Sequence, residues 1–491
     1  MRPVPRPALS VRAALADLRR RSPGLVHRHA LPGGLDDVAA HYAERYAGIP
    51  AVPHGRAEEV ALYRSPGSAG TVLLGLYGDA TRVAGWLPGL PGRVTVASVR
   101  NLLAEARAPS TLSRAPACQQ RRHSGGLDEL PVLRATGRDA GPFLTMGLVL
   151  AGDPTTGEVA MSTHRMMVLD RDRLTIWMVP GRRLRALHEA ARLRGEPLAV
   201  SINIGAPPAA MIASAVGSRF LPPEVGKLGL AGALAGEPLV VAPALTQPAP
   251  LLAESEIVVE GHLDGATADE GAGPSLPEFL GYDGDARRDL PVVTVTAVTS
   301  RRSAVYEAVI GPGREQSVIL GLAGELSVVL SGRDEPAWQL VADVHFAPAG
   351  GGMLLLIVSV RRSPRRSVRA LRRLTRRLFE QHPFLKLIVL VDEDVDLGSP
   401  EDVLWAVTTR ANLASDARSF TGFRPLPMDP SQSDAWAGAR GGRDRRTVID
   451  ATVPSEVGAD RSFAVPPVPW RRRDTGRTDG SKRSSDTMRL R

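Results

Sequence analysis

The apolar pattern of this chain changes period three times. Ser10 precedes a helical pattern over 11–20, where its hydroxyl can cap the first turn. An apolar run over 71–76 reads as a strand and 81–86 as the next helix, so residues 1–115 predict an α/β domain. Residues 116–320 switch to short strand-like segments at 144–150, 174–179, 198–204, 239–241, 256–260 and 291–299, with helices at 185–193 and 209–216. Many short strands with few helices predict a barrel. Over 321–425 the α/β pattern returns. A strand at 353–360 leads to a helix at 365–381, with Val368, Leu371, Leu374 and Leu378 on one face. A fully apolar strand at 387–391, typical of a buried parallel sheet, completes a right-handed βαβ unit. Residues 426–491, rich in Gly, Arg, Asp, Ser and Pro, read as a disordered basic tail. No internal repeat is visible. The fold class is α/β, or α+β overall.

Composition narrows the function classes. The chain has 491 residues, with 43% hydrophobic and 23% charged positions, as in ordinary globular proteins. Cys118 is the single cysteine, which excludes an intrachain disulfide and fits a reducing compartment. No apolar run approaches a membrane span, and the N-terminus lacks the apolar core of a secretory signal. These features predict a cytoplasmic protein with no membrane partner. The net charge of +9 suggests nucleic acid, but residues 471–491 alone hold seven Arg and one Lys against three Asp. The body therefore carries little field, and no specific nucleic-acid partner is expected. Of 61 basic residues only three are lysine: Lys227, Lys386 and Lys482.

Several positions point to chemistry. Arg165 lies just past a β-rich segment, and Arg182 and Arg183 end the next strand. A buried arginine is costly unless it meets an anion, so this stretch predicts a carboxylate, a phosphate or both. Glu278 sits in a rigid Pro/Gly-rich loop after a β segment, which suits a catalytic carboxylate and a surface turn equally. Asp392-Glu-Asp-Val-Asp396 follows a parallel strand, where α/β sheets place ligands. It suits a metal site, but a turn capping the helix that starts near Ser399-Pro400-Glu401 is the better reading.

Taken together, these motifs resemble the UbiD family of decarboxylases that use prenylated FMN. The resemblance rests on Leu127-Asp-Glu-Leu-Pro131, Asp139-Ala-Gly-Pro142 and the segment Val159 to Arg165, in the place of the family's V-N-x-G-x-Y-R. It continues through the runs Ala231 to Leu239, Glu256 to Gly261, Glu278-Phe-Leu-Gly-Tyr282, Phe384 to Asp396 and Val403 to Arg410. It implies an N-terminal α/β domain, a flavin-binding split barrel and a C-terminal α/β dimerisation domain. It also implies reversible decarboxylation of an aromatic, heteroaromatic or α,β-unsaturated acid by a homodimer or higher oligomer, through a flavin adduct. Arg165 matches the family's catalytic arginine and Glu278 its second glutamate. The first glutamate lies five residues earlier in the family. That position is Gly273 here, and Glu270, eight before Glu278, takes the role if the loop carries an insertion.

The departures concern the metal. The family holds a divalent ion with Asn, His and Glu, where this chain has Ala160, Arg183 and Lys227. Ammonium and guanidinium cannot coordinate a cation. They are good phosphate partners, so these departures predict a flavin-phosphate site without metal, built from Lys227, Arg183, Arg182 and Lys386, the last matching a family lysine. A further family histidine is Ser300 here, with Arg301 kept. The alternative is a catalytically altered or inactive relative that binds flavin or a partner subunit.

Overall fold

Ser10 opens helix α1 (Val11–Arg21) as its sequence predicts, with its hydroxyl accepting the Ala13 N–H. The computed structural model describes residues 7–30, 34–45, 58–64, 70–153, 156–271, 273–278, 280–311, 313–363, 366–426, 429–433, 442–454 and 457. All elements below belong to the unit ending at Thr452. Strands β1 (Val26–Ala30), β2 (Val60–Arg64) and β3 (Thr71–Leu74) pair in that order, first parallel and then antiparallel.

The barrel follows. Its strands are β4 (Phe143–Gly152), β5 (Val159–Asp170), β6 (Arg173–Thr175), β7 (Leu198–Ile204), β8 (Ile257–Ala268) and β9 (Leu290–Ser300). They run in the order β8-β7-β4-β5-β6-β9, and β9 pairs back onto β8. Every pairing is antiparallel, so six strands close with no free edge. Helices α2 (Arg183–Arg194), α3 (Pro208–Ala215) and α4 (Gly226–Ala235) fill the connections from β6 to β8. Arg165 lies within β5 rather than past it. Arg182 and Arg183 do not end a strand: Arg182 is the N-cap of α2 and Arg183 its first residue.

After the barrel, β10 (Val305–Glu307) returns to pair in parallel with β3. The N-terminal sheet is thus completed by chain from beyond the barrel. Helix α5 (Arg314–Gly332) leads to strands β11 (Val341–Phe346) and β12 (Leu355–Val360), helix α6 (Val368–Gln381), strand β13 (Leu387–Asp392), helix α7 (Pro400–Arg410) and strands β14 (Ala417–Phe420) and β15 (Arg446–Asp450). The sheet order is β11-β12-β13-β15-β14. β15 therefore sits between two strands, inside the segment expected to be a disordered tail. Its buried Arg446 donates to the Arg424 carbonyl at 2.7 Å and to Gln432 Oε1 at 3.1 Å. Leu371, Leu374 and Leu378 of α6 are buried as expected, but Val368 in its first turn is 59% exposed.

The acidic run after β13 is a structural turn. Asp392 pairs with Arg366, Asp394 with Arg410, and Asp396 Oδ1 accepts the Gly398 N–H. Ser399, not an aspartate, caps α7. Among the described residues no His/Cys/Asp/Glu trio is placed to hold a metal, and no helix is long and apolar enough to cross a membrane.

Where β10 and α5 meet the N-terminal sheet, three glutamates are buried: Glu58, Glu307 and Glu315. Glu315 accepts the N–H groups of Gly75 and Tyr77, each at 2.9 Å. Burial, with Glu58 adding, still pushes its carboxyl up to about 8. An unfolded glutamate titrates near ~4.3, so the folded chain holds this proton where the unfolded chain releases it. Its contribution to stability is complete below that value and is lost as pH rises through about 8. Between pH 6 and 9 the wild-type Tm should fall by several degrees more than that of Glu315→Gln. Parallel Tm profiles would contradict this assignment.

Candidate active site

A cavity of about 400 Å³ opens against the barrel wall. Arg165 of β5, Glu278 and Pro277 line one part of it, and Arg182, Arg183 and Lys227 another.

At the first end, Arg165 is held by Glu270, whose Oε2 lies 2.9 Å from its Nη2. The buried Glu270 carboxylate also accepts from Ser275 Oγ and from the Arg287 backbone N–H, each at 3.0 Å. Glu270, eight residues before Glu278, lies beside the arginine. Glu278 is held more loosely. Its Oε1 is 4.0 Å from Arg165 Nη1 and 3.7 Å from Arg287 Nη2. It lines the cavity and Glu270 does not. Gly284 lets these groups converge: a Cβ there would meet Leu276 O at 2.4 Å and lie 3.4 Å from both Arg165 Nη1 and Glu278 Oε1. Arg165 Nε is buried and makes no hydrogen bond among the described residues. The arrangement offers a positioned guanidinium with spare donor capacity beside a carboxylate that can pass a proton.

Arg287 was not legible as a site residue. Its guanidinium stacks over Trp177 at 4.0 Å from the ring centre and faces both glutamates. Nothing in its sequence context separates it from the other arginines. His164 was missed as well. Its Nδ1 must donate to the Trp177 carbonyl at 2.8 Å, so its Nε2 accepts from Ser162 Oγ at 2.7 Å. Burial, with Lys227 and Arg182 nearby, lowers its pKa to about 4, and it stays neutral.

At the second end, Lys227 Nζ donates to the Ser214 carbonyl at the end of α3. Burial and Arg182 lower its pKa to about 7. Neither Lys227 nor Arg182 has a carboxylate partner among the described residues; the charged neighbours acting on them are Arg182 and Arg219. Two cations facing one cavity without a counter-ion make a place for a dianion.

Two sequence expectations are corrected here. Arg183 lines the cavity but is neutralised by Asp153 and Glu158, at 3.0 and 2.9 Å. Lys386 does not line the cavity; Asp429 at 2.6 Å and Ser431 Oγ at 2.7 Å engage it. Side-chain partners supplied from distant segments decide both. Ser300 and Arg301 also lie off the cavity, bound to His123 and Glu254.

These residues fit a flavin phosphate and do not fit a divalent metal. Arg183 is a guanidinium paired with two carboxylates, Ala160 has no donor atom, Lys227 is engaged with the Ser214 carbonyl, and the one accepting nitrogen of His164 is already used.

Comparison with known proteins agrees with this architecture. Residues 110–315 match the 3-octaprenyl-4-hydroxybenzoate carboxy-lyase Rift-related domain and residues 324–451 the corresponding C-terminal domain. The chain is 34% identical over 336 residues to gallate decarboxylase of Lactiplantibacillus plantarum, covering 66% of this chain and 67% of the relative. Its fold is similar to apo 3,4-dihydroxybenzoic acid decarboxylase (AroY) of Klebsiella pneumoniae, with a TM-score of 0.81, 29% identity, and 94% and 99% of the two chains covered. It is similar to the UbiD-class enzyme HmfF of Pelotomaculum thermopropionicum in complex with FMN, with a TM-score of 0.79, 27% identity, and 94% and 97% covered. An evolved dimeric form of HmfF in complex with prFMN gives a TM-score of 0.76 at 26% identity, with 94% and 98% covered. The closed barrel, its α/β flanks and the two-ended cavity define a decarboxylase of the flavin-dependent carboxy-lyase class. The chain belongs to the UbiD family.

The two glutamates should separate in stability. Glu270→Ala strands a buried guanidinium and should cost about 3–5 kcal/mol. Glu278→Ala loses only loose ion pairs and should cost less than about 1 kcal/mol. Urea unfolding midpoints measure both, and equal losses would contradict the division.

Proposed function

We propose that this chain reversibly decarboxylates an aromatic, heteroaromatic or α,β-unsaturated carboxylic acid, using prenylated FMN held by its phosphate on Lys227 and Arg182 without a divalent metal. The observation that carries this reading is the pairing, in one cavity, of the Arg165–Glu278 centre with two cations that lack counter-ions. When bound, the flavin supplies a sink for the electrons left as carbon dioxide departs. The rest falls to the protein. Arg165, fixed by Glu270, lines the cavity and orients the substrate carboxylate there. Glu278 gives the proton that takes the place of the departing carboxylate and regains one from solvent. The reading of an inactive relative predicts a decayed centre; the ordered Arg165–Glu270–Ser275 bonding stands against it.

Self-association belongs to the same reading. Helix α7 exposes Leu404 (62%) and Trp405 (44%), which suits burial against a second copy.

Two outcomes are expected. With flavin loaded by co-expression with a flavin prenyltransferase, Glu278→Gln and Arg165→Ala should each lower carbon dioxide release by about 100-fold or more. Unchanged release in either variant would remove the proposed role. For the phosphate site, Lys227→Met should weaken FMN binding by about tenfold or more and leave riboflavin binding unaltered, read by flavin fluorescence. EDTA should leave FMN affinity unchanged. Loss of affinity on chelation, or equal weakening of FMN and riboflavin, would overturn the metal-free phosphate site.

A further inference from the structure

Beside the large cavity lies a chamber of about 80 Å³. The two share part of their walls: Arg182, Ala215, Leu320, Met353 and Phe384 line both. The chamber adds one more cation, Arg219, from the turn Ser218–Phe220 between α3 and α4. Ser218, the residue before it, lines the large cavity. Arg182 acts on Lys227, and Arg219 acts on Arg182, so three cations stand in sequence at this end of the cavity.

Arg219 is built into this wall. Gly217 lets the turn close, since a Cβ there would meet Phe220 Cδ2 at 2.8 Å. The Gly217 N–H donates to Ser327 Oγ at 3.0 Å, and the Phe220 carbonyl accepts from Arg333 Nη1 at 2.6 Å. The Phe220 ring carries the Arg219 guanidinium 4.6 Å from its centre, and Arg219 Nη2 donates to the Gln381 carbonyl. The other guanidinium donors make no hydrogen bond among the described residues, and no carboxylate lines the chamber there. His382 on the same wall stays neutral: burial, then Arg219 and Arg182, push its pKa down to about 3. The charge balance also leaves room for a third cation. A phosphate monoester is close to a dianion at pH 7. Arg182 supplies one full charge, but Lys227, with a pKa of about 7, is only partly protonated before a ligand arrives.

We infer that Arg219 is a cofactor-binding residue: its guanidinium, with Arg182 and Lys227, receives the flavin phosphate where the chamber joins the cavity. The inference rests on the flavin reading of the large cavity. Its physical basis is that a guanidinium stacked on a ring and short of a counter-charge gains two or more charge-assisted hydrogen bonds from an arriving phosphate. The phosphate also relieves the repulsion between Arg219 and Arg182. A free or substrate-borne phosphate offers the same chemistry, so the test separates that source from the flavin.

The test compares FMN with riboflavin, read by flavin fluorescence on the full chain freed of flavin. Arg219→Met keeps an unbranched side chain on the Phe220 ring and removes the charge. Arg219 is exposed, so the variant should fold with its Tm unchanged, and Arg219→Gln gives the same comparison through a second side chain. Each variant should weaken FMN binding by about tenfold or more and leave riboflavin binding within about twofold. Full FMN affinity in both variants, or equal weakening of FMN and riboflavin, overturns the inference. Lys227→Met, measured beside them, separates the two claims. A loss selective for FMN in Lys227→Met but not in the Arg219 variants removes Arg219 and leaves the flavin-phosphate reading standing. No selective loss in any of the three removes both. For the other source, the flavin-loaded protein is titrated with inorganic phosphate in a calorimeter. No binding is expected, because the flavin phosphate already fills the site. Phosphate binding that Arg219→Met abolishes would assign Arg219 to a separate anion and overturn its role toward the flavin.

Discussion

The buried pair of Arg165 and Glu270 is the interaction on which the site depends. A guanidinium inside a barrel wall is tolerated only with its counter-charge in place, which ties strand β5 to the loop between β8 and β9. That loop is fastened at its base, where Glu270 N donates to the Arg287 carbonyl and Arg287 N returns a bond to Glu270 Oε2. The same fastening sets Arg287 over Trp177 and brings Glu278 to the cavity. On the proposed reading, this ion pair makes Glu270 the positioning group and leaves Glu278 to move a proton.

The other end of the cavity works by charge left over. Arg183 is quenched by Asp153 and Glu158, whereas Lys227 and Arg182 are not quenched among the described residues. A depressed lysine pKa beside an arginine describes a site waiting for negative charge, since an arriving phosphate relieves both the desolvation and the repulsion. Where the family resemblance implies a metal at the phosphate, the proposed site presents positive charge from its own side chains.

Much of the scaffold was legible because local rules and the tertiary fold agree. The apolar run over 198–204 is a barrel strand with those bounds, and Ser10 caps the helix it precedes. β15 was not legible: a five-residue strand among Arg, Gly and Asp has no apolar period, and only its place between β13 and β14 makes it a strand. The site divides in the same way. Arg165 and Glu278 could be read from motifs, and Glu270 from its nearness to Glu278. Arg183 and Lys386 were misjudged because their acidic partners come from other segments, which residue type alone does not reveal. Arg287 carried no signal, since its role comes from a stack on Trp177 that only the closed barrel creates.

The central claim is that Lys227 and Arg182 replace a metal at the flavin phosphate. Crystals grown with FMN and excess manganese, measured at the manganese absorption edge, test it directly. The account predicts phosphate density within hydrogen-bonding distance of Lys227 Nζ and no anomalous peak in the cavity. A manganese peak bridging the phosphate and the protein would contradict it.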